Sequence, residues 1–405
     1  MKRLQLSAMR SWQKFKRFKQ LRVQVVLFGW VFIFAMAMPL ASLAADDGSS
    51  AESDGSDELR WSFKRGAALE TQAGTRLLGV HVGISPGLTL SSIKEPDERR
   101  TSVDQSLARL RLRVAGAPVP LRLAYNVSLS FDKAVLSLKD VWLDAALGSP
   151  RIWIRAGQLR RAFSRQGLTP YFRMVMPDRP LTYQIFESGH DPGVMLHGGP
   201  WSSFEWSLAF LKGGYQSPSQ TGEFLRREIS SEERSSATAD SVLLRLARRS
   251  KRGDPYNESD SAKLPFRWSV GMSLLAMKTD EESSRGALQG QVDLQIAARG
   301  WTLLGAFFVA TEQEEERIEE QAFQGAGYTL QTSYLVGESF EPSIRFTHCV
   351  FPGADTDIKD ISAGFSLSFY RGRLRWLNRL GMTIRDIEDG YRSDVTYKSH
   401  LQFHY

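Results

Sequence analysis

The sequence predicts an all-β fold, an antiparallel up-and-down barrel of about sixteen strands that crosses a membrane. Three observations predict it. The final residues alternate strictly between apolar and polar. Segments of the same kind recur along the chain, joined by short and long connections in turn. An export signal precedes a chain that carries one cysteine.

The C-terminal segment Val395 to Tyr405 is the clearest. Val395, Tyr397, Ser399, Leu401, Phe403 and Tyr405 share one face, while Thr396, Lys398, His400, Gln402 and His404 share the other. Successive side chains of a strand point to opposite faces. One side of this strand is therefore apolar, the other is wet, and an aromatic residue ends the chain. In a barrel that spans a membrane the apolar side meets lipid, with aromatics at the interface.

Residues 1–44 read as a secretory signal peptide. Lys2, Arg3, Arg10, Lys14, Lys16, Arg17, Lys19 and Arg22 precede an apolar run from Val25 to Met38, then Pro39 and the small residues of Ala41 to Ala45. An uncleaved anchor is the competing reading, because Val23 to Ala45 nearly reaches bilayer-spanning length. Pro39 and the small residues favour cleavage. Removing those eight positive charges from a formal +7 leaves the mature chain near −1, which argues against nucleic acid as a partner. With Cys349 the lone cysteine, no intramolecular disulfide can form. A closed barrel supplies stability another way, by pairing every backbone group with a neighbouring strand.

Residues 45–75 are expected to form a flexible N-terminal segment, since Asp46 to Glu58 is rich in Asp, Ser and Gly and lacks an apolar pattern. The barrel is expected over 76–405. Period-two segments include Leu78–Ile84, Leu110–Val114, Leu121–Phe131, Phe204–Phe210, Phe266–Leu274, Leu288–Ile296, Trp301–Val309, Tyr328–Tyr334, Ile361–Phe369 and Leu374–Ile384. Tight turns fall at Gly116-Ala-Pro118, Gly148-Ser-Pro150, Gly198-Gly-Pro200, Arg299-Gly300 and Arg371-Gly372. Longer polar connections alternate with them, around 85–105, 160–191, 213–239 and 312–324. Short turns at one rim and long loops at the other are the habit of outer-membrane barrels. The connection 250–264 departs from this rule: it should be short and is not, as a misassigned strand would explain.

The polar faces are too polar for a dry core. Arg122, Asn126, Ser128 and Ser130 make one such face, Gln289, Gln291, Asp293 and Gln295 another. A soluble sandwich with solvated outer faces is the alternative. Aromatics at strand ends and the persistent alternation of connections favour the barrel.

Residues 137–198 carry a sharper signal. Leu138-Lys-Asp-Val-Trp-Leu-Asp-Ala145 precedes Ile154-Arg-Ala-Gly-Gln-Leu159 and Phe163-Ser-Arg-Gln-Gly-Leu-Thr169. Arg179-Pro-Leu181 and Gly189-His-Asp-Pro-Gly-Val-Met-Leu-His-Gly198 follow. This order resembles the phosphate-selective porin O/P family of Gram-negative outer membranes, with its Gly-Gln strand, long loop and Gly-Val-x-Leu-x-Gly strand. The resemblance implies a sixteen-stranded, usually trimeric channel for anions in the outer membrane. It is sharp over these residues and a general barrel pattern elsewhere. Better-studied members line the pore with an arginine ladder and with lysines on an inward-folded loop. Here the 160–191 loop holds Arg160, Arg161, Arg165, Arg173 and Arg179 and no lysine.

Strand parity places candidate pore-lining, anion-binding residues. Arg109, Arg111 and Arg113 follow one another at about 7 Å along a face. Arg373 and Arg375 share another, with Arg379 and Arg385 beyond. Arg155 stands opposite Ile154, and Arg245 and Arg249 oppose Leu244 and Leu246. With Arg160 and Arg161 on the loop, these guanidinium groups stay charged and suit phosphate or carboxylate oxygens. Rings of such cations favour anions in a pore. The bland alternative is a structural ladder in which Asp132, Asp140, Asp144 and Asp293 balance the arginines.

No catalytic residues are expected. The chain lacks a Gly-x-Ser-x-Gly elbow and a phosphate loop ending in Gly-Lys-Ser/Thr. His400 and His404 lie roughly 13 Å apart along a strand, too far to share a metal. No cofactor is implied. The function expected is passive diffusion of small hydrophilic solutes through a hydrated lumen, with small anions, phosphate among them, preferred. Expected partners are outer-membrane lipid, the permeating solutes and two further copies in a homotrimer. A lipase-like barrel enzyme and a plugged structural barrel are the rivals.

Overall fold

The computed structural model describes residues 59–405 except 63–66, 72–74, 96–98, 120–121, 133–134, 149–150, 187–188, 199–202, 215–237, 251–255, 280–284, 315–323, 352–355 and 388–389. The signal peptide expected at 1–44 and the stretch 46–58 lie outside the described residues. Within 45–75, two short strands precede the barrel, β1 (Arg60–Ser62) and β2 (Ala67–Glu70).

Sixteen strands then form the wall. In order they are β3 (Arg76–Lys94), β4 (Arg99–Val119), β5 (Leu123–Asp132), β6 (Val135–Ala146), β7 (Ile152–Arg160), β8 (His190–Gly198), β9 (Phe204–Gly214) and β10 (Thr238–Arg249). There follow β11 (Arg267–Thr279), β12 (Arg285–Ala298), β13 (Trp301–Glu314), β14 (Gln324–Tyr334), β15 (Phe340–Phe351), β16 (Thr356–Phe369), β17 (Leu374–Ile387) and β18 (Gly390–His404). Each pairs antiparallel with the next, and β18 pairs with β3 from Ser393↔Lys94 to His404↔Gly83. That last ladder closes the sheet and removes its edges, the condition for backbone in hydrocarbon. Tyr405 completes the seam: its N–H donates to the Val82 carbonyl at 2.8 Å, and its carbonyl accepts from the Val82 N–H at 2.9 Å. Beyond the seam, β2 pairs with the overhanging start of β3, and β1 with β2.

Alternation does what the sequence promised. On β13, Phe307 is 49 % exposed on the outside while Phe308 is 0 % exposed within. Trp301, Leu303 and Val309 join Phe307 on the outer face, as do Met272 and Leu274 on β11 and Leu288 and Val292 on β12. This exposed apolar girdle has no aqueous rationale and fits lipid. Turn chemistry also holds at Arg299-Gly300, where φ is 49° and 95°. A two-residue hairpin with positive φ at both positions matches the twist of its strands, and the second is glycine.

Three expectations need correction. The span 85–105 is not a loop: β3 and β4 run on to Lys94 and back from Arg99, with Leu90 opposite Val103 and Ser91 opposite Ser102. Both faces of that extension meet water around Val103, so the ladder continues while the apolar period disappears. The turn expected at Gly116-Ala-Pro118 falls later, where the Arg122 N–H bonds the Val119 carbonyl at 3.0 Å. Gly116 stays in β4, because a side chain there would strike the Leu77 carbonyl of β3. Finally, the described residues of 250–264 form no strand. β10 ends at Arg249, β11 begins at Arg267, and the described part of this turn enters the lumen.

Candidate pore

The connection from β7 to β8, residues 161–189, folds into the barrel and decides what is left open. Its first turn is α1 (Arg165–Leu168), whose leading N–H groups lack intrahelical partners. Ser164 caps it, accepting from the Gly167 N–H at 3.1 Å. A 3₁₀ turn follows at Tyr171–Arg173, then α2 (Leu181–Phe186).

Apolar packing fixes the two ends of the loop. Phe163 and Phe186 meet Phe308, at ring-centroid separations of 6.2 and 5.4 Å, and Phe186 also stacks on Phe351 at 6.1 Å. Leu243, Leu275, Cys349 and Ile358 complete a dry cluster inside the barrel. Thr182 and Thr329 share a hydrogen bond at 2.8 Å beside it.

Ion pairs and carbonyl contacts fix the middle. Asp178 accepts from Arg345 at 2.8 Å, Arg379 at 2.9 Å and Lys398 at 2.8 Å, drawing β15, β17 and β18 onto one carboxylate. Burial alone would raise its pKa. The three cations outweigh that penalty, and the loop carboxyl is held well below the usual carboxylate range. Arg379 reaches on to Asp360 at 2.6 Å. Arg375 donates to the carbonyls of Phe172 at 3.1 Å and Met174 at 2.7 Å.

The long turn between β10 and β11 rises from the opposite rim to meet the loop. Glu258, 4 % exposed, accepts from the Val175 N–H at 2.9 Å and from Gln331 at 3.1 Å. Its own N–H donates to the Arg173 carbonyl at 3.2 Å. The Asn257 carbonyl accepts from Arg165 at 3.2 Å and Gln295 at 2.9 Å. Asp260 pairs with Arg267 and accepts from the Gly300 N–H at 2.8 Å.

Loop and turn together fill one side of the lumen. On β12 through β15 every described inward-facing residue is buried. The opposite wall, β4 to β8, is different. Arg113 is exposed there, as is Arg173 on the loop, and Arg109, Arg111, Arg155, Arg160 and His190 are part-exposed. Arg113 donates to Asn126 at 2.5 Å and lies in the field of Arg173, Arg160 and Arg155, with Asp140 opposing.

The candidate arginines thus divide. Arg109 stacks over the Tyr171 ring at 3.8 Å, and Arg111 lies 6.0 Å from the same ring. Arg155 pairs with Asp144 at 2.7 Å and covers Trp142 at 4.0 Å. Arg160 donates to the Gly167 carbonyl at 3.0 Å and approaches Asp140 at 3.6 Å. Arg161 is 5 % exposed and paired with Asp191, so it anchors the root of the loop. Arg375 is equally buried and holds the loop by its carbonyls. Arg373 lies at the terminal rim, over the Tyr405 ring at 5.2 Å. Arg245 pairs with Asp293 at 2.9 Å in the filled side. Sequence reading missed Asp178, Tyr171 and Glu258. Their partners are distant in sequence, and only the odd length of 250–264 hinted at the second insertion.

No protein-family model matches this chain, and no curated sequence matches it. Solved structures do resemble it. An anion-selective porin from Comamonas acidovorans aligns with a TM-score of 0.56 at 11% identity, over 81% of this chain and 100% of that one. The outer membrane channel DcaP of Acinetobacter baumannii gives 0.54 at 8% identity, over 84% and 99%. The trimer form of OmpT, an outer membrane protein of Vibrio cholerae, gives 0.53 at 10% identity, over 81% and 100%. At such identities the likeness is one of fold: this chain has the barrel fold of outer-membrane porins and channels.

Proposed function

We propose that this chain is a porin of the Gram-negative outer membrane, exported with a cleaved signal peptide, through which small hydrophilic solutes diffuse passively. Anions are preferred, phosphate among them. One observation carries this reading: exposed Arg113 and Arg173 share a field at the water-accessible side of the lumen. Asp144 there is already committed to Arg155 and to His197 at 2.9 Å, and Asp140 approaches Arg160 at 3.6 Å. The positive field around exposed Arg113 raises the local concentration of anions. The anion selectivity of the Comamonas porin supports the preference, and the trimer form of the Vibrio protein supports assembly as a homotrimer.

Planar-bilayer recording of the folded barrel tests this. Stepwise conductance with a reversal potential of anionic sign under a KCl gradient is the expected outcome. A cationic sign would reject the preference. The filled side of the lumen favours a second reading, a plugged structural barrel, and the absence of current steps would select it.

A further inference from the structure

Beneath the tip of the internal loop lies a group of buried polar atoms that the permeation path does not use. Arg375 stands opposite Gln402 on adjacent strands, and Ser85 stands opposite Arg109. The β18–β3 register is the same at His400↔Gly87 and Phe403↔Ile84, which sets Gln402 opposite Ser85. Four neighbouring strands therefore present Arg375, Gln402, Ser85 and Arg109 in one row on the inner face. Side chains directly opposite one another on paired strands are in reach of each other.

Gln402 and Ser85 are each 0 % exposed. Both amide atoms of Gln402, the Ser85 hydroxyl and one terminal nitrogen of Arg109 have no hydrogen-bond partner among the described residues. Buried polar groups are normally paired, and leaving them orphaned is costly, so a cluster of them points to a guest. Shape agrees. Ser85 is the one short side chain in the row. Tyr171 roofs the Arg109 end, and Phe172 packs on Gly83 so closely that a Cβ there would overlap its ring. Charge agrees too. The row is bracketed by two guanidinium groups and holds no carboxylate. The guanidinium groups of Arg375, Arg173 and Arg373 all act on His404, two residues further along β18.

We propose that this row binds one small inorganic anion of halide size, held by the Gln402 amide, the Ser85 hydroxyl and Arg109, which pins the loop tip to the β18–β3 seam. It is a resident ion, distinct from the solutes that permeate past Arg113. It rests on the enclosed lumen, and not on the selectivity of the path.

The test uses the detergent-folded full barrel and bromide as probe. Crystals grown in sodium bromide are expected to show an anomalous peak within hydrogen-bond distance of Gln402 and Ser85. The unfolding temperature at fixed ionic strength is expected to rise saturably as chloride replaces gluconate. Gln402→Leu, which keeps the volume and removes the amide, is expected to abolish that rise, and Ser85→Ala to weaken it should the first variant fold poorly. A peak without anomalous signal, or an unfolding temperature indifferent to chloride, would overturn the site. Anion-selective current persisting in that case would leave the porin reading intact, and the loss of both would reject each separately.

Discussion

The two sides of this lumen are built from the same alternating strands and yet behave as different materials. From β10 to β18 the inner face meets the folded-in loop and turn. There the charges are matched: Arg245 with Asp293, Arg379 with Asp360, and Arg345 and Lys398 with Asp178. Phe308, Phe351 and Cys349 complete a core as dry as that of a soluble protein. From β4 to β8 the inner face is buried at Ser130 and Asp144 but opens to water at Arg113 and, in part, at Arg109, Arg111, Arg155 and Arg160. An arginine inside a barrel is thus not a selectivity element by virtue of pointing inward. Its role depends on whether the chain supplies it with a carboxylate or a carbonyl before a solute can.

Substitutions on the filled side should break the comparison most strongly. Asp178→Asn strands Arg345, Arg379 and Lys398 around a neutral amide. Removing one partner of a buried ion pair costs about 3–5 kcal/mol, here chiefly to loop docking. We expect larger single-channel conductance and protease cleavage within 161–189 while the barrel stays folded. The same group sets a pH dependence. A carboxyl whose folded pKa is depressed stabilises fully above its unfolded value, near 3.8, and loses that contribution only as pH falls through the lower folded value. Conductance should therefore stay constant from neutral pH down to the ordinary carboxylate range, and a rise already at mildly acidic pH would contradict the pairing.

Phe308→Ala comes next. It removes a ring with no exposed surface that stacks on the loop, at a cost of about 3 kcal/mol, the lower end for such truncations, where neighbouring side chains close in. Protease sensitivity of the loop should rise as for Asp178→Asn, with less change in current. Thr182→Val deletes the bond to Thr329 and should cost about 1 kcal/mol, measurable as a small fall in unfolding temperature. Arg113→Ala should be nearly neutral for stability, within about 0.5 kcal/mol, because the residue is exposed. Yet of these four it should move the reversal potential furthest toward zero. If Arg245→Ala moved it as far, the division into two sides would be wrong.

Much of this architecture was legible in the sequence because hydrocarbon enforces it. Phe307 must face lipid if Phe308 faces in, so one strand fixes the period for the rest. The signal failed where that constraint lapses. Ser91 and Ser102 lie on a hairpin extension wet on both faces, and their strands read as a loop. Inside the lumen, parity found Arg109, Arg111 and Arg113 but could not separate them from Arg375, because the difference lies in Phe172 and Met174 carbonyls presented by a distant loop. Asp178 carried no local mark: its partners Arg345, Arg379 and Lys398 come from strands that only closure brings together. Glu258 was foreshadowed only by a turn too long for its rim.

Thiol accessibility tests the division most directly, because the chain offers one cysteine, Cys349, with no exposed surface on the filled side. In the folded barrel a charged, water-soluble methanethiosulfonate should leave Cys349 unmodified and the current unchanged. In an Arg113→Cys, Cys349→Ser variant the same reagent should react quickly and reduce the current. Rapid labelling of Cys349, or silence at position 113, would contradict a lumen that is dry on one side and conducting on the other.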